Sequence, residues 1–434
     1  MNGTTFVRLS IVLMALPALA PSGRAQTPTI KILYAFNGYV NSGDGFDPTA
    51  PLVIGRGGVL YGATYQGGIS NYGTVFELTP PPSTGGSWRE TQIHVFTGGS
   101  DGLEPTALVT TGDGVLYGVT AGGGSGCGSG CGTAFSLTPP NSVSPGSWTK
   151  QTYAFNSNII VPSTLRSAGG VLYGTSLDGG ASSSCYLGCG TLFFLAPPTA
   201  LWNSWTARVL YSFPGGAGGD NPVMAVLGRD GVFYGTSQGG NQSCPFGCGL
   251  AFSLTPGFTG NPPGGSLSEI VLHTFIDYSY DGDGVAGLVM GEDGLLYGTT
   301  SGGGIYGYGT AFSLTPPSHP GGAWQEKILY NFNGPSGAAF PNPSLAIGKG
   351  GVIYGTAYGI WGGGPAYSGA VFSLTPPSQA GGSWTLTVRH NFSGGDDGGN
   401  PVAGLVIGDD GTLYGTTTNG GGSGKFGTVF ALQP

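Results

Sequence analysis

Charge is what this chain has least of. Only 8% of its 434 residues are Asp, Glu, Lys or Arg, and 13 basic against 21 acidic side chains leave a net charge of −8. So few cations exclude a sequence-independent grip on phosphates, which argues against nucleic acids and anionic membrane surfaces as partners. Histidine is scarce as well, at four. His94, His273 and His390 each stand two residues before a Phe, where Tyr34, Tyr153, Tyr211 and Tyr330 stand elsewhere. A position that His shares with Tyr reads as packing, not as a triad member or metal ligand. His319 sits in Ser318-His319-Pro320 with no acid, cysteine or second histidine close in the sequence, so no Ser-His-Asp or His-rich constellation emerges.

Long apolar runs are missing too. The run Ile11 to Ala20 is half of the roughly 20 residues that a membrane-spanning helix needs. Arg8 precedes it, and Ala18-Leu19-Ala20 and Gly23-Arg24-Ala25 offer small-residue cleavage sites. Residues 1–25 are therefore expected to be a secretory signal, cut after Ala25. The mature protein is expected to be secreted, extracellular or periplasmic, with no membrane span. The closing Ala431-Leu432-Gln433-Pro434 is expected to carry no anchor.

Glycine and proline are abundant instead, at 89 and 32. Together they exceed a quarter of the chain, a share that normally marks disorder. The 22 Phe, 21 Tyr and 7 Trp oppose that reading, because they fall at fixed places in a repeat. An apolar run ending in Tyr-Gly occurs at Tyr61, Tyr117, Tyr173, Tyr234, Tyr297, Tyr354 and Tyr414. A period of this size means that one supersecondary unit is copied.

Within one copy, Leu52-Val53-Ile54 is followed by the turn Arg56-Gly57-Gly58 and a second run, Val59 to Thr64. A Gly-rich loop then leads to the alternating Gly73 to Thr79. After a Pro/Gly/Ser loop comes a fourth run from Trp88 to Phe96. This is a four-stranded meander. The first turn is Asp-Gly at Asp113, Asp230, Asp293 and Asp410 and Gly-Gly in the other copies, both suited to tight hairpins. Trp88, Trp148, Trp205, Trp324 and Trp384 open fourth strands and read as a structural belt.

Seven such units predict an all-β, seven-bladed β-propeller. The last copy stops after its third strand, Gly427 to Leu432, while Lys31 to Phe36 is an orphan fourth strand matching Lys327 to Phe332. Pairing the two would close the ring and remove exposed edges. The expected organisation is a single propeller over 26–434, with blade seven formed by 400–434 plus strand 31–36.

The phrases Leu296-Tyr297-Gly298-Thr299 and Gly73-Thr74-Val75-Phe76-Glu77-Leu78-Thr79-Pro80 carry a resemblance. Over 52–432 the chain resembles the GloVer-type (Gloeo/Verruco) tandem extracellular repeat family. The resemblance implies an exported bacterial repeat protein, often attached to varied C-terminal anchors, and brings no catalytic residues with it.

Strand parity puts the Gly-rich loops and the connections between blades on one face, the hairpins and Pro-rich loops on the other. The first face is the expected ligand face. It collects Tyr65, Tyr306, Tyr358 and Trp361, candidate platforms for sugar or peptide, alongside connectors rich in Asp. Those acids admit three readings: turn formers, a calcium site, or a catalytic pair. Asp281 and Asp283, two residues apart, are the calcium candidates, without the further spaced acids of a full loop motif. The six cysteines fall as Cys127/Cys131, Cys185/Cys189 and Cys244/Cys248 in one loop of three successive blades, and are expected to form three short disulfides.

The expectation is a monomeric, non-catalytic binding or scaffold module for an extracellular polysaccharide, protein or envelope component. It would need no cofactor, calcium aside. The competing class is a polysaccharide-cleaving propeller, lyase or glycosidase, that uses channel-mouth carboxylates.

Overall fold

The computed structural model describes residues 29–433 apart from 39–42, 84, 128–129, 141–145, 199–203, 241–247, 257–266, 277–278, 320–321, 335–337, 359–367, 380, 423 and 425. The chain forms seven four-stranded antiparallel sheets arranged as a propeller. Blades 1 to 6 occupy 53–95, 103–154, 160–212, 220–274, 283–331 and 346–391. Blade 7 takes Val406–Ile407, Leu413–Thr417 and Thr428–Leu432 from the C-terminal end, and Ile30–Ala35 as its fourth strand. Ile30 pairs with Leu432 and Ala35 with Thr428, so the ring closes as the split repeat predicted. First strands of blades 1 to 4 lie against their successors, which places them on the axis side.

The seam between blades explains the repeated phrases. Each fourth strand ends in a fully buried Phe: Phe36, Phe96, Phe155, Phe213, Phe275, Phe332 or Phe392. Its amide donates to the glycine carbonyl that opens the third strand of its own blade, as Phe96 does to Gly73 at 3.0 Å. Its ring meets the third-strand Phe of the next blade at 5.0–5.3 Å between centroids, in all seven places. Pairs in this geometry contribute about 0.5–1.5 kcal/mol each beyond the area they bury.

The third-strand Phe in turn lies across the glycine of Tyr-Gly. A Cβ on Gly298 would come within 2.5 Å of Phe312 Cζ and 2.9 Å of Leu288 Cδ2. Only glycine leaves that space. The neighbouring Tyr packs outward across the seam: Tyr61 on Trp148, Tyr117 on Trp205, Tyr234 on Trp324, Tyr297 on Trp384 and Tyr414 on Trp88. These five tryptophans are therefore the structural belt that their recurrence suggested.

A second seam contact uses the glycine before each third strand. Gly73 of blade 1 faces Pro105 of blade 2 so closely that a Cβ would sit 2.7 Å from the proline Cδ. The pattern continues through Gly132/Pro162, Gly190/Pro222, Gly309/Pro341 and Gly369/Pro401, with Val285 in the proline's place opposite Gly249. It ends at Gly427 of blade 7 against Pro48, ahead of blade 1. Thr416 Oγ1 also donates to Pro48 O at 2.8 Å, so the closing seam repeats the others.

Two outcomes follow from these contacts. Removing Ile30–Ala35 leaves Thr428–Leu432 as an open edge and deprives it of a partner; the truncated chain should lose cooperative melting and aggregate, as read by calorimetry and size-exclusion chromatography. A truncation that melts like the intact chain contradicts the closure. Gly298→Ala overpacks one seam and should destabilise by about 1–3 kcal/mol in chemical denaturation; an unchanged midpoint would mean that Phe312 gives way at no cost.

Candidate functional site: the glycine-rich face

Antiparallel order in every blade puts the loops between second and third strands on the same face as the interblade connectors. Backbone bonds tie the two together: Gly68 N–H to Asp44 O (2.8 Å), Gly124 N–H to Gly99 O (2.7 Å), Gly240 N–H to Gly216 O (2.8 Å) and Gly421 N–H to Gly395 O (2.9 Å). Main-chain atoms thus hold the face. Side-chain identity is left free to vary.

One feature of this face escaped sequence reasoning. The residue at the entry to each first strand is held at positive φ in all seven copies: Asp47, Glu104, Val161, Asn221, Gly284, Phe340 and Asn400, between 48° and 61°. Six of them precede the seam proline, and the seventh, Gly284, precedes Val285 in the proline's place. The amides of the six that carry side chains donate back to the preceding blade, as Glu104 does to Tyr72 O (2.9 Å) and Asn400 to Ser368 O (2.6 Å). Such a conformation is costly for a side-chain-bearing residue, most of all for Val161 and Phe340. The X-Pro recurrence was visible in the sequence; a pre-proline residue is normally extended, so it gave no warning of a left-handed one.

The candidate aromatics separate in the structure. Tyr306 and Tyr358 are exposed, at 56% and 41%. Tyr65 is half-buried and donates its hydroxyl to Glu104 Oε2 at 2.7 Å; burial, then that bond, push its pKa up to about 12. It is a positioned residue that fixes Glu104. Trp361 lies outside the described residues. Among the described residues, nine of the eleven large apolar side chains that stand exposed sit on these loops and connectors: Ile69, Tyr72, Tyr186, Leu187, Ile276, Tyr280, Ile305, Tyr306 and Tyr358. The other two, Ile270 and Val271, lie on the fourth strand of blade 4.

The Asp-Gly aspartates of the opposite face do serve as turn formers: Asp113, Asp230, Asp293 and Asp410 each accept the amide two residues on. That face also holds a cleft of about 820 Å³ between blades 5 and 6, where Asp293 and Lys349 stand over Tyr297, Trp384 and Ile407. Two of the expected disulfides are present, Cys127–Cys131 and Cys185–Cys189. Cys248 is disulfide-bonded, and Cys244 lies outside the described residues.

The histidine position is a packing one, with chemistry added. His94, His273 and His390 stand edge-on to the seam Phe, at 4.7–4.8 Å. Each turns Nε2 toward a connector acid: Asp101 at 3.2 Å, Asp281 at 3.5 Å, Asp397 at 3.0 Å. Tyr34 does the same, donating to Asp44 at 3.0 Å. The next blade's fourth strand supplies a third member, Lys150 at Asp101, Glu326 at His273 and Glu90 near Asp44. Burial alone would raise Asp101, but hydrogen bonds from His94, Lys150 and Thr97 hold it well below the usual range. Glu90 is pushed up to about 7 by burial and then by Asp44. Asp281 is 2% exposed and takes the Ile276 amide; Asp283 starts the first strand of blade 5 and is raised by burial.

No helix among the described residues is long and apolar enough to cross a membrane. A comparison with curated proteins found no match. Among solved structures, PorZ of Porphyromonas gingivalis, a surface component of its type-IX secretion system, aligns with TM-score 0.50 and 13% identity over 88% of this chain and 46% of its own. A protein from Bacteroides fragilis assigned as a 6-phosphogluconolactonase gives 0.49 and 14%, over 82% and 86%. The PQQ-bound aldose sugar dehydrogenase of Streptomyces coelicolor gives 0.46 and 13%, over 94% and 98%. At these identities the likeness is one of fold. The Gloeobacter/Verrucomicrobia repeat model matches residues 21–184, 147–359 and 241–434, which together span the propeller, so the chain belongs to the Gloeobacter/Verrucomicrobia repeat family.

Proposed function

We propose that this propeller is an exported, non-catalytic binding module that engages an extracellular polysaccharide through its glycine-rich face. The observation that carries the reading is the one-sided distribution of exposed apolar side chains, with Tyr306, Tyr358 and Tyr186 standing among glycines. Aromatic rings presented this way stack on the apolar faces of sugar rings, while nearby polar groups orient the hydroxyls. Around the axis, Asp47, Glu104, Asn221 and Asn400 offer such polar groups at one backbone geometry. Loops positioned by a rigid scaffold are where recognition concentrates.

Export is supported by the disulfides, which persist in oxidising compartments. The N-terminal 1–25 segment, the expected signal, lies outside the described residues. Calcium at Asp281 and Asp283 is not part of this reading.

A glycan array probed with the mature protein, followed by product analysis of every glycan retained, tests the proposal. Retention without new reducing ends or unsaturated products is the expected result; product formation would establish the polysaccharide-cleaving class instead. Tyr306→Ala with Tyr358→Ala should weaken retention at least about tenfold with melting within a degree or two of wild type, since exposed loop residues contribute little to the core. Lys349→Ala, in the cleft of the opposite face, should leave retention unchanged. Loss with Lys349→Ala alone would move the site to that cleft.

A further inference from the structure

The seam slot beside each histidine is built three ways. Between blades 1 and 2, Lys150 places its ammonium on the Asp101 carboxylate, 2.7 Å from the Asp101 carbonyl and 3.1 Å from His94 Nε2. The protein supplies its own cation there, and Lys150 Nζ also lies 4.3 Å from the centre of the Phe96 ring. Between blades 6 and 7 the third position is Ile30, opposite Leu432, and His390 closes directly on Asp397 at 3.0 Å.

Between blades 4 and 5 the third residue is Glu326. It pairs with Leu314 as Lys150 pairs with Leu137, so it occupies the lysine's place on the strand. A carboxylate has replaced an ammonium. Asp281 and Glu326 side chains are 3% and 9% exposed, and His273 is the basic side chain that stands against both. Glu326 Oε1 and His273 Nε2 are buried without a hydrogen-bond partner. Buried polar atoms left without a partner are costly, and native proteins satisfy such atoms with a protein group, an ordered water or an ion.

The donor geometry suits an ion. His273 Nε2 lies 3.5 Å from Asp281 Oδ2 and 3.9 Å from Glu326 Oε2, and the three ligand atoms are all within 4.8 Å of one another. Ligands at about 2.0–2.2 Å around a tetrahedral zinc stand roughly 3.3–3.6 Å apart, so small rotamer adjustments bring the set to bonding distance. One imidazole with two carboxylates favours zinc or a similar transition ion over calcium, which takes six to eight oxygens. The His273 side chain, 22% exposed, leaves a path for entry.

We propose that His273, Asp281 and Glu326 form a divalent transition-metal site that staples blade 4 to blade 5, with the ion in the place that the Lys150 ammonium fills between blades 1 and 2. Its three donors are distinct from Tyr186, Tyr306 and Tyr358, although the connector that carries Asp281 also presents Ile276 and Tyr280.

Titration of chelator-stripped, full-length mature protein with zinc sulfate in a calorimeter tests it, with melting followed in parallel. One equivalent should bind and the melting temperature should rise with free zinc, by mass action on the folded state. Glu326→Lys should abolish that binding while melting at or above the stripped wild type, because its ammonium repeats the Lys150 arrangement. Glu326→Gln and His273→Gln, closer in volume, should each weaken zinc at least about tenfold while the protein remains folded. Absence of stoichiometric binding to the wild type, or binding undiminished in Glu326→Lys and His273→Gln, overturns the proposal.

Discussion

The edge-to-face contact between the last Phe of one blade and the third-strand Phe of the next is the interaction on which this ring depends. Each such Phe is anchored to its own blade through the amide-to-glycine bond and spends its ring on a neighbour. The recipient ring needs the flat space over Gly of Tyr-Gly, and that glycine needs the ring to fill it. Hydrophobic clusters follow suit. The one containing Phe96 and Phe135, for example, draws on blades 1 and 2 together. No blade buries its own faces, so stability belongs to the seams and the ring must close.

That arrangement leaves the glycine-rich face with little structural duty beyond its backbone. Connectors and loops are joined by main-chain bonds, and the glycine–proline contact sets where each new blade begins. A consequence is the left-handed residue at every first-strand entry. Its conformation repeats because the seam geometry repeats, whereas its identity runs through Asp, Glu, Val, Asn, Gly, Phe and Asn. Constant backbone with changing side chains is how a symmetric scaffold presents an asymmetric surface.

The histidine slots show the same economy inside the seam. Tyr and His are interchangeable there as packing against Phe, and both direct a polar atom at a connector carboxylate. What differs is the third residue, carried by the following blade. Lys150 neutralises Asp101, Glu90 stands beside Asp44 and is raised by burial and then by that neighbour, and Glu326 completes the His273 and Asp281 cluster. At one seam the same slot gathers an imidazole and two carboxylates.

Most of the architecture was legible in the residues themselves. Tyr-Gly, the Asp-Gly hairpins, the tryptophan openings and the strand split between Ile30–Ala35 and Thr428–Leu432 are local signals, and local sterics and hydrogen bonding decide them. So the blade count, the closure and the Cys127–Cys131 and Cys185–Cys189 pairs could be read directly. The functional detail was less accessible. Glu326 lies more than fifty positions from His273, and its meaning depends on which blade stands beside which and on the inward side of a strand. Tyr65 looked equivalent to Tyr306 until the fold placed Glu104 against it. Sequence determined the repeat because each repeat's turns and strands are short-range; only the tertiary ring decided which side chains meet, because every contact that matters here crosses from one copy to the next.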